Sequence, residues 1–290
     1  FYSMFGFQRV GDMVWACADM MTRGFLLGGT AGRTTLNGEG LQHEDGLTHL
    51  LASTFPTLKS YDPAFAYELA VIVRDGIHRM YELGENIFYY ITLYNENYTM
   101  PAMPDGDGVE EGIIKGAYCW QSRKAEGEPV DILASGSLMQ QAISAAKTLE
   151  ELGYAPAIWS VTSYIELARE AESCERQARL APEGERPRPY VEQLFADAQG
   201  PVVAVTDYLK SLPGSIARWM PASYTVLGTD GFGLSESRPD LRDHFEVSAR
   251  HIVQAALAGL YREGRISEQE MREQLAPQSV KIDKADPSAR

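Results

Sequence analysis

Val130-Asp131-Ile132-Leu133-Ala134, a helix-length stretch over residues 137–152, and then Pro156-Ala157-Ile158-Trp159-Ser160-Val161 form the passage that decides the fold. The two outer runs are short and largely apolar, as buried strands are, and the stretch between them is long enough for a crossover helix. A strand, a helix and a second strand in this order predict a β-α-β unit, whose two strands lie parallel in one sheet. Further toward the C-terminus the alternation continues. Helix 163–178 is followed by a proline-rich connection at 181–189, helix 190–197, strand 201–205, helix 208–218 and strand 224–228. Helices near 238–244, 248–263 and 267–275 close the chain.

Moving from the same passage toward the N-terminus, residues 99–112 combine Met-Pro steps with Gly and Asp and read as a linker. Upstream of it, residues 7–22 read as a helix with Val10, Val14, Cys17 and Met21 along one face. Phe25 to Gly28 reads as a short buried strand, and Leu47 to Ala52 as a helix. A longer helix is predicted over 63–83, with Pro63 in its first turn and Asp62 as its cap. Residues 86–94 (NIFYYITLY) have the aromatic and β-branched content of a buried strand. The expected fold is α/β. Residues 1–104 hold the end of one α/β domain, and residues 105–290 hold a complete second one with a mostly parallel sheet. There is no internal repeat and no low-complexity tract.

Composition excludes several function classes. Apolar residues make up 44% and charged residues 23% of the 290, as in a globular protein with a sizeable core. A net charge of −14 argues against non-specific nucleic-acid binding. Cys17, Cys119 and Cys174 have no metal-ligand spacing and pair unevenly, which fits a reducing cytoplasm. The sequence has no signal peptide and no apolar run long enough to span a bilayer, so no membrane partner is expected. The first residue is Phe rather than an initiator Met, which fits a processed or truncated chain. A cut at that point is expected to leave apolar helix faces such as Val10, Val14 and Met21 exposed and the chain associated.

The chemistry concentrates in Leu36-Asn37-Gly38-Glu39-Gly40-Leu41-Gln42-His43-Glu44-Asp45-Gly46. Three glycines let the backbone approach a ligand closely, and one imidazole sits beside three acids. From the residues alone, His43 is either a site residue or a solvated loop histidine, and spacing does not separate the two. Glu39, Glu44 and Asp45 are candidates for direct function, for loop solvation or for capping the helix near Leu47. Tyr2 and Phe5 read equally as core aromatics or as a platform for a flat ring. Gly228-Thr229-Asp230-Gly231-Phe232-Gly233 lacks the order of a dinucleotide fingerprint and has no P-loop lysine after it, so it reads as a tight turn after a strand at the sheet edge. His244 and His251 are placed to share a helix face but lack a third metal ligand.

The strings YSMFGFQR, GRTTLNGEGLQHEDG, SYDPAFAYE, YNENYTMPAMP, SVTSYIELARE and LGTDGFGLSESR, in order from residue 2 to residue 238, resemble the C-terminal portion of the homodimeric bacterial-type pyruvate dehydrogenase E1 component. The resemblance implies a partial pyrimidine-binding domain of a thiamine-diphosphate enzyme followed by a transketolase C-terminal-like domain. It implies decarboxylation of pyruvate on thiamine diphosphate with Mg²⁺, and reductive acetylation of the lipoyl group of the E2 acyltransferase, in the bacterial cytoplasm. In such an enzyme the aromatic at Phe5 stacks on the aminopyrimidine and Tyr2 lines the same pocket. His43 meets the pyruvate-derived carboxylate or the cofactor-bound intermediate and passes a proton during acetyl transfer. A second E1 subunit completes the site.

The Mg²⁺-binding Gly-Asp-Gly motif of these enzymes is followed some 25 to 30 residues on by Asn. Gly106-Asp107-Gly108 mimics its start, but residues 130–136 contain no Asn, so the motif is rejected and the Mg²⁺ ligands are expected outside this segment. The activating glutamate is likewise expected before residue 1, which makes the segment alone inactive. Two alternatives stand beside this reading: transketolase-like ketol transfer, and a non-catalytic fragment that serves dimerisation or assembly.

Overall fold

The computed structural model describes residues 1–124, 126–181, 183–184, 186–221, 223–281 and 283–289. Pro182 and Glu185 of the expected proline-rich connection therefore lie outside the described residues. The N-terminal part runs α1 (Phe7–Asp19), β1 (Phe25–Gly28), α2 (Thr48–Ala52), β2 (Leu58–Tyr61), α3 (Ala66–Ile77) and β3 (Phe88–Thr92). Its three strands form a parallel sheet in the order β1-β3-β2. The central strand is buried on both faces, and its side chains alternate between two cores. Tyr89 and Ile91 join Ile72, Met80 and Ile113, whereas Phe88 and Tyr90 join Phe7, Val14 and Phe55. A strand loaded with large side chains on both faces has to be central, because each buried one contributes about 1.5–3 kcal/mol.

The C-terminal part begins with α4 (Val109–Lys115) and continues through β4 (Tyr118–Gln121), β5 (Pro129–Ala134), α5 (Met139–Glu151), β6 (Ala155–Ser160), α6 (Tyr164–Leu180) and α7 (Tyr190–Leu194). It ends with β7 (Val202–Val205), α8 (Ser211–Gly214), β8 (Tyr224–Leu227), α9 (Arg238–His244), α10 (Ala249–Arg262) and α11 (Glu268–Leu275). The sheet order is β4-β6-β5-β7-β8, parallel except for β4 at one edge. Val130, Ile132, Val203 and Val205 point into the core with α5 and α10, while Leu133, Val202 and Ala204 point into the core with α6. This is the doubly covered parallel sheet expected from the sequence.

Several local expectations are corrected. The long helix begins at Ala66 rather than Pro63, because Glu68 reaches back to accept the backbone N–H groups of Ala64 (2.6 Å) and Phe65 (3.0 Å). Asp62 does not cap it; its carboxylate accepts the hydroxyls of Thr92 and Tyr94 instead. On α1 only Phe7 and Val14 are buried. Val10 sits at a kink, and Met21, past the helix end, turns into solvent. The linker ends at Gly108, where α4 starts and packs against α3. Strands β2 and β4 have no counterpart in the sequence reading. His244 closes α9 while His251 lies in α10, so the two do not share a helix.

Candidate active site

The first residues are tied to the C-terminal end of β1. Ser3 N–H donates to Gly29 O (2.7 Å) and Gly29 N–H donates to Phe1 O (2.8 Å). A single 3-10 turn, Ser3–Phe5, then projects Tyr2 and Phe5 from that end. The loop after β1 returns to the same place, so its His43 ring lies 5.2 Å from Tyr2 and 5.3 Å from Phe5, centroid to centroid. Tyr2 and Phe5 are themselves 5.3 Å apart. The three residues singled out in the sequence thus share one aromatic corner. The Arg9 guanidinium lies 4.4 Å from the Phe5 centroid, so the Phe5 ring meets a cation as well as Tyr2 and His43. His43 Nδ1 is 3.2 Å from the Glu39 carboxylate, and the imidazole remains partly open to solvent. Burial, with Glu39 and Glu44 nearby, raises the Tyr2 hydroxyl above its ordinary range, which keeps it a proton donor.

The three loop acids diverge in environment. Glu39 is exposed beside His43. Asp45 is fully buried and accepts the backbone N–H groups of Leu47 (2.9 Å) and Thr48 (3.1 Å) and the hydroxyls of Thr48 and Ser3. It caps α2 and, through Ser3, fixes the turn that carries Tyr2 and Phe5. Glu44 is also buried; its Oε2 accepts Leu234 N–H at 2.8 Å, and burial pushes its carboxyl up to about 7.

Sequence reasoning missed what surrounds this corner. The C-terminal ends of the two sheets face each other, and polar side chains fill the seam. Asp207, just after β7, is buried, accepts Thr34 N–H (3.0 Å to Oδ1), and is pushed up to about 7 by burial. Arg33 donates through Nη1 to the carbonyls of Thr229 and Gly231. Arg242 pairs with Glu96. The Gly228–Gly233 turn is indeed a post-strand turn, and it packs on the loop that holds His43. His49 is a core histidine, with Nδ1 2.6 Å from Ser60 Oγ and Nε2 3.1 Å from Thr92 Oγ1, and burial lowers its pKa. Only the spacing of acids, arginines and small residues in 32–49 and 227–242 hinted at this seam. Among the described residues no group of three or more His, Cys, Asp or Glu converges to hold a metal.

Residues 1–101 match the family model of the pyruvate dehydrogenase E1 component middle domain, and residues 116–248 that of the transketolase-like TK C-terminal domain. Among solved structures, transketolase from Leishmania mexicana superposes with a TM-score of 0.68 at 17% identity, over 90% of this chain and 34% of that one. A split-gene transketolase, described as an inactive beta4 tetramer, superposes at 0.59 with 18% identity, over 90% of this chain and 75% of that one. The fold is therefore of the transketolase-like class.

Within that class the sequence is decisive. The pyruvate dehydrogenase E1 components of Pseudomonas aeruginosa and Escherichia coli are each 50% identical over 291 residues, covering 99% of this chain. The chain belongs to the pyruvate dehydrogenase E1 component family and corresponds to a C-terminal portion of it. It spans about a third of the length of the curated relatives it matches, 33% and 32% respectively.

Proposed function

We propose that this chain forms the pyrimidine-side wall of a thiamine-diphosphate site in a bacterial, cytoplasmic pyruvate dehydrogenase E1 component. The whole enzyme decarboxylates pyruvate and reductively acetylates the lipoyl group of E2. The observation that carries this reading is the corner of Tyr2, Phe5 and His43, with all three rings within 5.3 Å of one another. The donor set fits one end of the cofactor and not the other. Phe5 offers a flat apolar face to an aminopyrimidine, and Tyr2 a protonated hydroxyl. No carboxylate cluster here suits Mg²⁺ among the described residues, and Gly106-Asp107-Gly108 leads into α4, at some distance in sequence from the corner. Mg²⁺ and the diphosphate belong with residues outside this segment, and a second subunit completes the site. Thiamine diphosphate, when bound, supplies the electron sink for decarboxylation.

The roles left to this chain are positional and protic. Phe5 and Tyr2 orient the heterocycle. His43, an imidazole with one nitrogen beside Glu39, donates to a substrate carboxylate or moves a proton from the other. We divide the chain at about residues 104 and 105, between the stretches that the two family models match. Ketol transfer is the weaker reading, since the transketolases share 17–18% identity here and the E1 components 50%.

The test is made in the complete enzyme carrying these residues. His43→Ala should lower turnover about 100- to 1000-fold and leave thiamine diphosphate affinity nearly intact. Phe5→Ala should weaken cofactor binding by about 1–3 kcal/mol. A correctly folded His43→Ala enzyme with parental turnover would remove His43 from the reaction.

A further inference from the structure

On its own side of the seam the His43 loop is held at Asp45, which accepts the Ser3 and Thr48 hydroxyls and the Leu47 and Thr48 N–H groups. The imidazole touches Glu39, Tyr2 and Phe5 and is partly open to solvent. A second set of bonds ties the loop to the segment after β8. Glu44, the residue next to His43, accepts Leu234 N–H. Gly38 N–H donates to Glu236 O at 3.0 Å, and Arg238 N–H donates to Asn37 Oδ1 at 3.0 Å. Arg33 Nη1 donates to the carbonyls of Thr229 and Gly231, and Gly46 lies flat on the Arg33 guanidinium, where a Cβ would meet Nε at 2.6 Å. The contact is close from the other side as well: a Cβ on Gly233 would meet Glu44 Oε2 at 2.2 Å, and one on Gly40 would meet Ser235 Oγ at 2.7 Å.

We propose that Glu44 is a positioning residue: seated on Leu234 N–H, it holds His43 at the aromatic corner, so the segment after β8 sets the catalytic geometry from across the seam. The inference rests on the reading of His43 given above. A loop rich in glycine keeps many conformations unless it is anchored, and a reacting group misplaced by about 1 Å can cost on the order of 100-fold in rate. Burial keeps water from competing for the Leu234 N–H. The carboxyl oxygen accepts this bond whether or not Glu44 is ionised, so the anchor does not depend on its charge.

A double-mutant cycle in the complete enzyme tests this. With His43 present, Glu44→Ala should lower kcat about 10- to 100-fold and change KM and thiamine diphosphate affinity little. In the His43→Ala background the same change should cost less than about 3-fold, because the group it positions is gone. Glu44→Gln keeps an acceptor for Leu234 and should retain most of the turnover. Should Glu44→Ala fail to fold, Gly233→Ala takes its place in the cycle, pushing on Glu44 from the far side of the seam. An equal fold-loss in both backgrounds, or parental kcat in the Glu44→Ala and Gly233→Ala enzymes, would overturn the inference while leaving His43 in place. Parental turnover of His43→Ala itself would overturn both readings together.

Discussion

Asp207 shows how one residue links the seam to solution conditions. Burial raises its carboxyl to about 7, against about 4 in an unfolded chain. Between those values the folded chain keeps a proton that the unfolded chain has released. The stability from the protonated carboxyl is therefore fully present below about pH 4 and is lost as pH rises through about 7. Asp207→Asn cannot ionise and still offers one acceptor to Thr34 N–H. Its stability relative to the parent should thus improve with pH across that window. Urea unfolding of both chains at about pH 5 and about pH 8 measures the change; a constant difference would show that the carboxyl does not titrate in the seam. Nothing in the order of residues signals this. A lone Asp after an apolar run reads as a turn residue, and its partner, the N–H of Thr34, is 173 positions away.

At the scale of elements, legibility followed the apolar and β-branched content of each run rather than its burial. β1, β3, β5, β6, β7 and β8 are apolar, aromatic or β-branched enough to stand out. β2 is Leu-Lys-Ser-Tyr and β4 is Tyr-Cys-Trp-Gln, four residues each with mixed character, and they are strands only because neighbours pair with them. The switch point of the second sheet, between β5 and β7, is where open α/β sheets ordinarily admit a ligand. Here the first sheet's loops fill it: a Cβ on Gly136 would meet Tyr94 Oη at 2.2 Å, and one on Gly32 would meet Asp207 Oδ2 at 2.2 Å.

α4 offers a test of how tightly the elements fit. Gly to Ala in a helix interior ordinarily gains about 1 kcal/mol. At Gly112, however, a Cβ would meet Tyr118 Cβ at 2.7 Å and Ala117 O at 2.8 Å. Gly112→Ala should therefore destabilise by about 1–3 kcal/mol, read from the shift of a denaturant midpoint. A stabilised variant would mean that α4 is only loosely seated on β4.

For the molecule as a whole, the proposed function gives the chain one wall of a site. On its own it should bind thiamine diphosphate poorly and show no Mg²⁺-dependent gain in affinity, because no carboxylate cluster is present to hold the metal among the described residues. Calorimetry with thiamine diphosphate, with and without Mg²⁺, decides this. Micromolar, Mg²⁺-dependent binding would mean that the diphosphate end lies within this chain after all. The seam supplies a second property of the whole. Gly38 N–H to Glu236 O, Leu209 N–H to Gly46 O and Asp62 N–H to Thr162 O all join main chain to main chain. Arg33 and Arg169 add bonds from side chains to carbonyls. In many of the seam's bonds one partner is a peptide group, so the residue on that side is free to vary while the polar side chain opposite it is not. Halves exchanged between relatives should therefore recognise each other only where pairs such as Lys59–Glu166 and Glu96–Arg242 are kept, which confines recombination at the seam to compatible parents.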